Sequence, residues 1–172
     1  MNAIRIGAVC AVVLTCASVS PARAQQPSSD AAAIIQFQRS VDTYAFDHRR
    51  VQRSLGEGAD QMAMAAGVHA ARRSAADGDF FTPTIAAAFH NRIATALKHQ
   101  DCTIGIGTPG AEVPRVGVLT INASDLPECV LSVLPRLPEE LVYRRVGVVM
   151  ILLDTHANMV VDVLHGAFSL PR

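Results

Sequence analysis

Apolar residues change their spacing partway along the chain, and this change indicates the fold class. From residue 30 to residue 97 they recur at steps of three and four, as on one face of an α-helix. After Pro138, the segment "ELVYRRVGVVMILLDTHANMVVDVL" is dense in β-branched residues, which favour strands. The pattern predicts an α+β fold in which about three N-terminal antiparallel helices pack on a small C-terminal antiparallel β-sheet.

The first predicted helix has clear signals at both ends. Ser28, Ser29 and Asp30 supply an N-cap, while Gly56 and Gly58 make continuation costly. Its apolar stripe consists of Ile34, Phe37, Val41, Tyr44, His48, Val51 and Leu55.

Two further helices follow with short connections. The second runs from about residue 59 to residue 76 and turns the basic pair Arg72 and Arg73 outward, and the third starts where Thr82 precedes Pro83. Their apolar positions are Met64, Val68, Ala71 and Ala75 in the second helix and Ile85, Phe89, Ile93 and Leu97 in the third.

Residues 101–140 are rich in proline and read mostly as connection. "RVGVLTI" adds one predicted strand and "LPECVLSVL" one short helix. The loop "GIGTPG" has the glycine spacing of a dinucleotide-binding motif, but it does not link a strand to a helix and therefore predicts no cofactor. Residues 25–172 are thus expected to form one domain, with helices over 30–100 and strands over 141–168.

The N-terminus predicts a secretory signal peptide over residues 1–24. Arg5 precedes an apolar run over residues 6–19, and a small-residue cleavage site ends at Ala24. The run is about 14 residues, whereas a spanning helix needs roughly 20, so an uncleaved anchor is the less favoured alternative. We expect a periplasmic or secreted protein without membrane insertion after cleavage.

The charge of the mature chain argues against two classes of partner. Cleavage removes Arg5 and Arg23 from 15 basic groups, which leaves 13 against 15 acidic ones and a formal charge of about −2. A near-neutral chain lacks the basic field that nucleic acid or anionic lipid requires.

Two cysteines remain after cleavage, Cys102 and Cys129. Export to an oxidising compartment favours a disulfide between them, and the alternative is two buried thiols. A bridge across 27 residues would stabilise the fold by roughly 3.5 kcal/mol.

Four ionisable residues near the C-terminus invite a metal-site interpretation, namely Asp154, His156, Asp162 and His165. Strand alternation places Asp162 and His165 on opposite faces, and His156 falls in a turn, so a β-hairpin is the favoured interpretation. The neighbouring acids Glu139 and Glu140 would likewise face opposite sides of a strand, which separates them as an acid–base pair.

A second candidate metal site uses one histidine from each predicted helix. His48, His69 and His90 fall at nearly level positions if the helices are antiparallel, and three imidazoles can hold a catalytic zinc ion. The alternative is that His48 is a hydrogen-bonded core residue and the other two lie at the helix boundary.

Three segments carry a resemblance to known proteins. "ARRSAADGDFFTP", "LPRLPEELVYRRVG" and "LLDTHANMVVDVL" resemble, over residues 30–168, a group of short exported bacterial proteins without an established function. The resemblance implies a periplasmic, Gram-negative setting and supplies no site residues. Where such a chain is expected to turn after "YRRVG", this one continues with Val148, Val149 and Met150, so residues 141–154 form either two strands or one long strand.

No catalytic signature occurs in the chain, and the favoured function is a non-catalytic binding or interaction module. Its partner would be a protein or a cell-envelope component that pairs with an uncovered strand edge. The alternative is a small metal-dependent hydrolase that uses His48, His69 and His90.

Overall fold

A computed structural model shows the predicted α+β architecture. It describes residues 28–56, 58–99, 101–104, 114–118 and 123–169. The predicted signal peptide, the "GIGTPG" loop and the end of "RVGVLTI" lie outside these residues. No helix within the described ranges is both long enough and apolar enough to span a membrane.

Within the described residues, four helices precede a three-stranded antiparallel sheet of order β1-β2-β3. The helices are α1 (Ser29–Leu55), α2 (Gln61–Ala71), α3 (Pro83–Ala96) and the short α4 (Glu128–Leu131), and the strands are β1 (Leu141–Val146), β2 (Val149–Asp154) and β3 (Met159–Leu164).

The predicted ends of α1 are confirmed. The Ser28 hydroxyl oxygen accepts a hydrogen bond from the Ala31 N–H at 3.3 Å, as an N-cap does. At the other end Gly56 has a φ of 84°, a conformation that glycine adopts without strain.

Helix α2 ends at Ala71, five residues before the predicted end at 76. Arg72 follows with a φ of −118° and a ψ of 39°, so its side chain no longer keeps the helical phase. The guanidinium lies over the rings of Tyr44 and Phe80, with its Cζ 5.4 Å and 5.0 Å from their centroids. The prediction that Arg72 turns outward is therefore wrong.

An aromatic core joins α1 to α3 and the sheet. The Phe37 ring on α1 is fully buried, and its centroid lies 4.8 Å from that of Phe89 and 5.7 Å from that of Phe81. Burying a side chain of this size stabilises the fold by roughly 1.5–3 kcal/mol. Most positions of the predicted apolar stripes belong to the helical core, but Leu55 and Ala71 are exposed and Ala75 lies beyond the end of α2.

The C-terminal hairpins explain how the sheet is built. Gly147, with a φ of 57°, and Val148 form the turn between β1 and β2, so the chain makes two strands and the single long strand is wrong. Residues 155–158 connect β2 to β3, as predicted. Every position of β2 and β3 is buried, which places apolar side chains against both faces.

Both outer strands pair with connecting segments at one point. Val160 of β3 exchanges backbone hydrogen bonds with Gly117 and Val118, at 2.8 Å and 3.0 Å. Arg145 of β1 pairs in the same way with Ser124. The expectation of an uncovered strand edge is wrong at these positions.

The predicted disulfide joins Cys102 to Cys129, and their Cα atoms are 5.6 Å apart. It links the segment that follows α3 to helix α4 across 27 residues of sequence.

Candidate functional site

Ionisable side chains form a buried cluster where α1 meets the ends of β1 and β2. Tyr44 and His48 are four residues apart on α1 and therefore share one face. Asp154 ends β2, and Glu140 immediately precedes β1. Their exposed fractions are 5% for Tyr44, 2% for His48, 1% for Glu140 and 0% for Asp154.

Asp154 is the centre of this cluster. Its Oδ2 accepts a hydrogen bond from the Tyr44 hydroxyl at 2.5 Å, and its Oδ1 accepts from the backbone N–H groups of His156 and Ala157 at 2.8 Å and 2.7 Å. The His48 Nε2 lies 3.2 Å from the same Oδ2, a close contact that lacks the alignment of a hydrogen bond. The carboxylate thus ties α1 to the turn after β2.

The surroundings of Asp154 favour its ionised form. Burial raises the pKa of this carboxyl, but interaction with His48, the Ala157 N–H and the Tyr44 hydroxyl outweighs burial and lowers the pKa below its ordinary value. For Tyr44, burial and the neighbouring Asp154 charge raise the pKa of the phenol well above its ordinary value, and the opposing effect of the Arg72 charge is smaller. A neutral phenol donating to a carboxylate is the resulting state.

Glu140 belongs to the same region through a second pair. Its Oε1 accepts a hydrogen bond from Arg49 Nη1 at 2.6 Å, while no partner for Oε2 occurs in the part of the chain that the structure describes. Its backbone carbonyl accepts from the Thr155 N–H at 2.9 Å. Glu139 is exposed, so the two adjacent acids are separated as the sequence predicts.

A cavity of about 140 Å³ lies beside the cluster, between α1 and the C-terminal end of α2. Tyr44 and His48 line it from the core, and the exposed residues Thr43, Asp47 and Ala71 line it from the surface. We call this space the α1–α2 cavity. Its full lining is Ser40, Thr43, Tyr44, Asp47, His48, Val51, Val68, Ala71, Arg72 and Phe80.

Arg72 lines the cavity through a guanidinium that has two acceptors among the described residues. Nη1 donates to the Val161 carbonyl and Nη2 to Asp79 Oδ2, both at 3.3 Å, which is beyond the usual range for N–H···O bonds. Contact with the two aromatic faces adds a cation–π attraction. The early end of α2 is what places this charge in the cavity.

Asp162 is a second fully buried carboxylate, and all its hydrogen-bond partners in the described part of the chain are backbone groups. Oδ1 accepts from the Gly78 N–H, and Oδ2 accepts from the N–H groups of Phe80 and Phe81, each at 2.7 Å. Its Oδ1 also accepts from the Val163 N–H at 2.8 Å. Asp162 therefore fixes the loop between α2 and α3 against β3.

The three-histidine site, which was the less favoured alternative, is not formed among the described residues. His48 lies against Asp154, His69 is exposed, and the His90 Nε2 is 2.9 Å from the backbone carbonyl of His165. Within residues 28–56, 58–99, 101–104, 114–118 and 123–169, no group of three or more His, Cys, Asp or Glu side chains could hold a metal ion.

The predicted β-hairpin is confirmed, and it separates His156, His165 and Asp162 as expected. The role of Asp154 was not predicted. His156 and His165 are exposed, and Asp162 is separated from both. Asp154 is not a surface charge of the hairpin but the partner of Tyr44 and His48. The four-residue spacing of those two polar groups on the apolar stripe was the available signal.

No protein-family model matches this chain, and no curated protein or solved structure matches it either. The resemblance to exported bacterial proteins stays a prediction.

Proposed function

We propose that this protein is an exported, non-catalytic binding protein whose ligand occupies the α1–α2 cavity. The observation that carries the proposal is the cavity itself, a space of about 140 Å³ with apolar walls from Val51, Val68 and Phe80 and polar groups from Ser40 and Arg72. A mostly apolar cavity with a few polar groups is the usual form of a small-molecule binding site.

The state of the other polar groups supports binding over catalysis. The side chains of His48 and Asp154 are fully shielded from solvent, and each is engaged in holding α1 to the sheet. The hydroxyls of Ser40 and Thr43 donate to carbonyls of their own helix. A nucleophile needs a base within hydrogen-bonding reach, and these hydroxyls are bonded elsewhere.

Export is supported by the N-terminal pattern and by the disulfide. A structural disulfide is typical of oxidising compartments, among which the bacterial periplasm is one. The ligand would then be a small molecule of that compartment or an end group of a cell-envelope component. Cell fractionation with mass spectrometry tests this part, because the expected product starts at Gln25 in the periplasmic fraction and an uncleaved cytoplasmic product contradicts it.

Two variants, in each of which one alanine is replaced by leucine, test the binding site. Ala71→Leu places a larger side chain in the lining of the cavity, whereas Ala70→Leu changes the neighbouring exposed residue, which does not line it. In a thermal-shift screen of small fragments, we expect hits that raise the Tm of the native protein and of A70L but not of A71L. A screen without hits, or hits that stabilise A71L equally, would contradict the proposal.

A further inference from the structure

Two large apolar side chains are exposed on α1, on the side opposite its buried residues. The exposed fraction is 47% for Ile35 and 59% for Phe46. Both belong to a row of exposed residues at steps of four, three and four, namely Ile35, Arg39, Asp42 and Phe46. Residues with this spacing lie along one side of a helix. We call these four residues the outer row of α1.

The two charged residues of the outer row are not used within the chain. Arg39 and Asp42 are three positions apart, a spacing at which opposite charges can pair on a helix, yet the ion pairs among the described residues include neither of them. Asp42 Oδ1 accepts a hydrogen bond from Gln38 Nε2 at 3.2 Å, which leaves Oδ2 for another donor. Both charges are therefore available to a second molecule.

The outer row is complementary to its own copy. Ile35 and Phe46 are centred between residues 40 and 41, and Arg39 and Asp42 are centred on the same point. When two α1 helices lie antiparallel about this centre, Ile35 of one copy is level with Phe46 of the other. Arg39 of one copy is then level with Asp42 of the other. A two-fold interface requires this kind of self-complementarity.

The remaining arginines of α1 favour the antiparallel direction. Arg49, Arg50 and Arg53 are exposed near the C-terminal end of the helix. In a parallel pair each arginine of α1 would be level with its own copy, and like charges side by side oppose association. In the antiparallel pair the two C-terminal arginine groups are roughly 30 Å apart at a rise of about 1.5 Å per residue. That distance exceeds the range of about 8 Å over which physiological salt leaves exposed charges unscreened.

We propose that this protein forms a two-fold dimer in which the outer rows of two α1 helices pack antiparallel. Phe46 of each copy contacts Ile35 of the other, and Arg39 of each copy forms an ion pair with Asp42 of the other. A contact through one helix face is small, and small interfaces are weak, so the expected dissociation constant is on the order of 10–100 μM. None of the four residues lines the α1–α2 cavity, so this inference does not depend on the proposed function.

Sedimentation of the purified protein over a range of concentrations tests the dimer. The native protein should pass from monomer to dimer between about 1 μM and about 1 mM. Phe46→Ser should weaken dimerisation about tenfold or more. The matched control Met62→Ser, which removes an exposed apolar side chain of α2, should leave it unchanged. A native protein that stays monomeric up to about 1 mM, or equal dimerisation of F46S and the native protein, would overturn the inference.

Exchanging the two charges tests how the helices pair. Arg39→Asp alone brings two acids level with each other, and Asp42→Arg alone brings two arginines level, so each variant should dimerise about tenfold more weakly than the native protein. A mixture of R39D and D42R restores opposite charges at both points and should form a mixed dimer with near-native affinity. A mixture that associates no more tightly than the separate variants would overturn the antiparallel pairing.

The exposed arginines give this face an alternative occupant, an anionic membrane surface. Vesicles of phosphatidylglycerol and phosphatidylcholine distinguish it from a second copy of the chain. We expect dimerisation of the native protein and no binding to these vesicles. Vesicle binding by a native monomer, lost in F46S, would overturn the inference and assign the outer row to lipid.

Discussion

Asp154 and Asp162 are both fully buried carboxylates of the same sheet, yet their partners differ in kind. Asp154 contacts two side chains of α1, since it accepts a hydrogen bond from Tyr44 and lies close to His48. It also accepts hydrogen bonds from two backbone N–H groups of its own turn. Among the residues that the structure describes, Asp162 accepts hydrogen bonds from backbone N–H groups alone, which belong to the loop after α2 and to Val163.

This difference in partners indicates two roles: Asp162 fixes a loop, whereas Asp154 positions side chains of the candidate site. Backbone donors are present whatever the side chains are, so the role of Asp162 is to fix the path of the chain. The side-chain partners of Asp154 are Tyr44 and His48, two residues of the cavity lining, so this carboxylate holds one wall of the α1–α2 cavity in place. Burial alone would not distinguish these roles.

The largest expected effect is at Asp162. Asp162→Ala leaves the N–H groups of Gly78, Phe80 and Phe81 without their acceptor, at a cost of roughly 1–3 kcal/mol for each buried donor. Partial access of water to the loop brings the expected loss to about 4 kcal/mol in the free energy of unfolding. Urea denaturation measures it, and a loss below about 1 kcal/mol would mean that Asp162 does not fix the loop.

Asp154→Asn should lower the free energy of unfolding less than Asp162→Ala does, and it should change how that free energy depends on pH. The Asn side chain keeps one acceptor oxygen, so the expected loss near neutral pH is about 2 kcal/mol. Because folding lowers the pKa of Asp154, its contribution is fully present above the unfolded value of about 3.9 and is lost as pH falls through the folded value. Denaturation curves between neutral and acidic pH should therefore be flatter for D154N, and parallel curves would contradict this account.

The Tyr44 hydroxyl is expected to contribute about 1 kcal/mol near neutral pH, as measured with Tyr44→Phe. Since folding raises the pKa of this phenol, native stability should decline as pH rises above the unfolded value of about 10. The decline should be smaller in Y44F. An unchanged alkaline slope would show that the phenol does not favour its neutral form in the fold.

The smallest effect is expected at His156. Its ring centroid lies 5.1 Å from that of His48, but the residue is exposed and its bond to Asp154 is made by the backbone N–H. His156→Ala should remain within about 0.5 kcal/mol of the native free energy of unfolding. A loss of more than about 1 kcal/mol in the free energy of unfolding would show that the His156 imidazole also takes part in the Asp154 cluster.

Local rules predicted the elements more fully than the site. The apolar stripe of α1, the proline at the start of α3 and the density of β-branched residues after Pro138 are local signals, and the elements that they predict are present. The end of α2 was misplaced because no glycine or proline follows Ala71 directly, and with it the position of Arg72 was missed. The hydrogen bond between Tyr44 and Asp154 joins residues 110 positions apart, a separation that periodicity cannot predict.

The ring nitrogens of His48 give the most direct test of the difference between the two carboxylates. Nitrogen NMR of the protein, with the His48 signals assigned by their loss in His48→Asn, reports which ring nitrogen carries the proton. At a pH where the ring is neutral, we expect the proton on Nε2, which lies 3.2 Å from Asp154 Oδ2, and none on Nδ1. A proton on Nδ1 under these conditions would contradict the role assigned to Asp154.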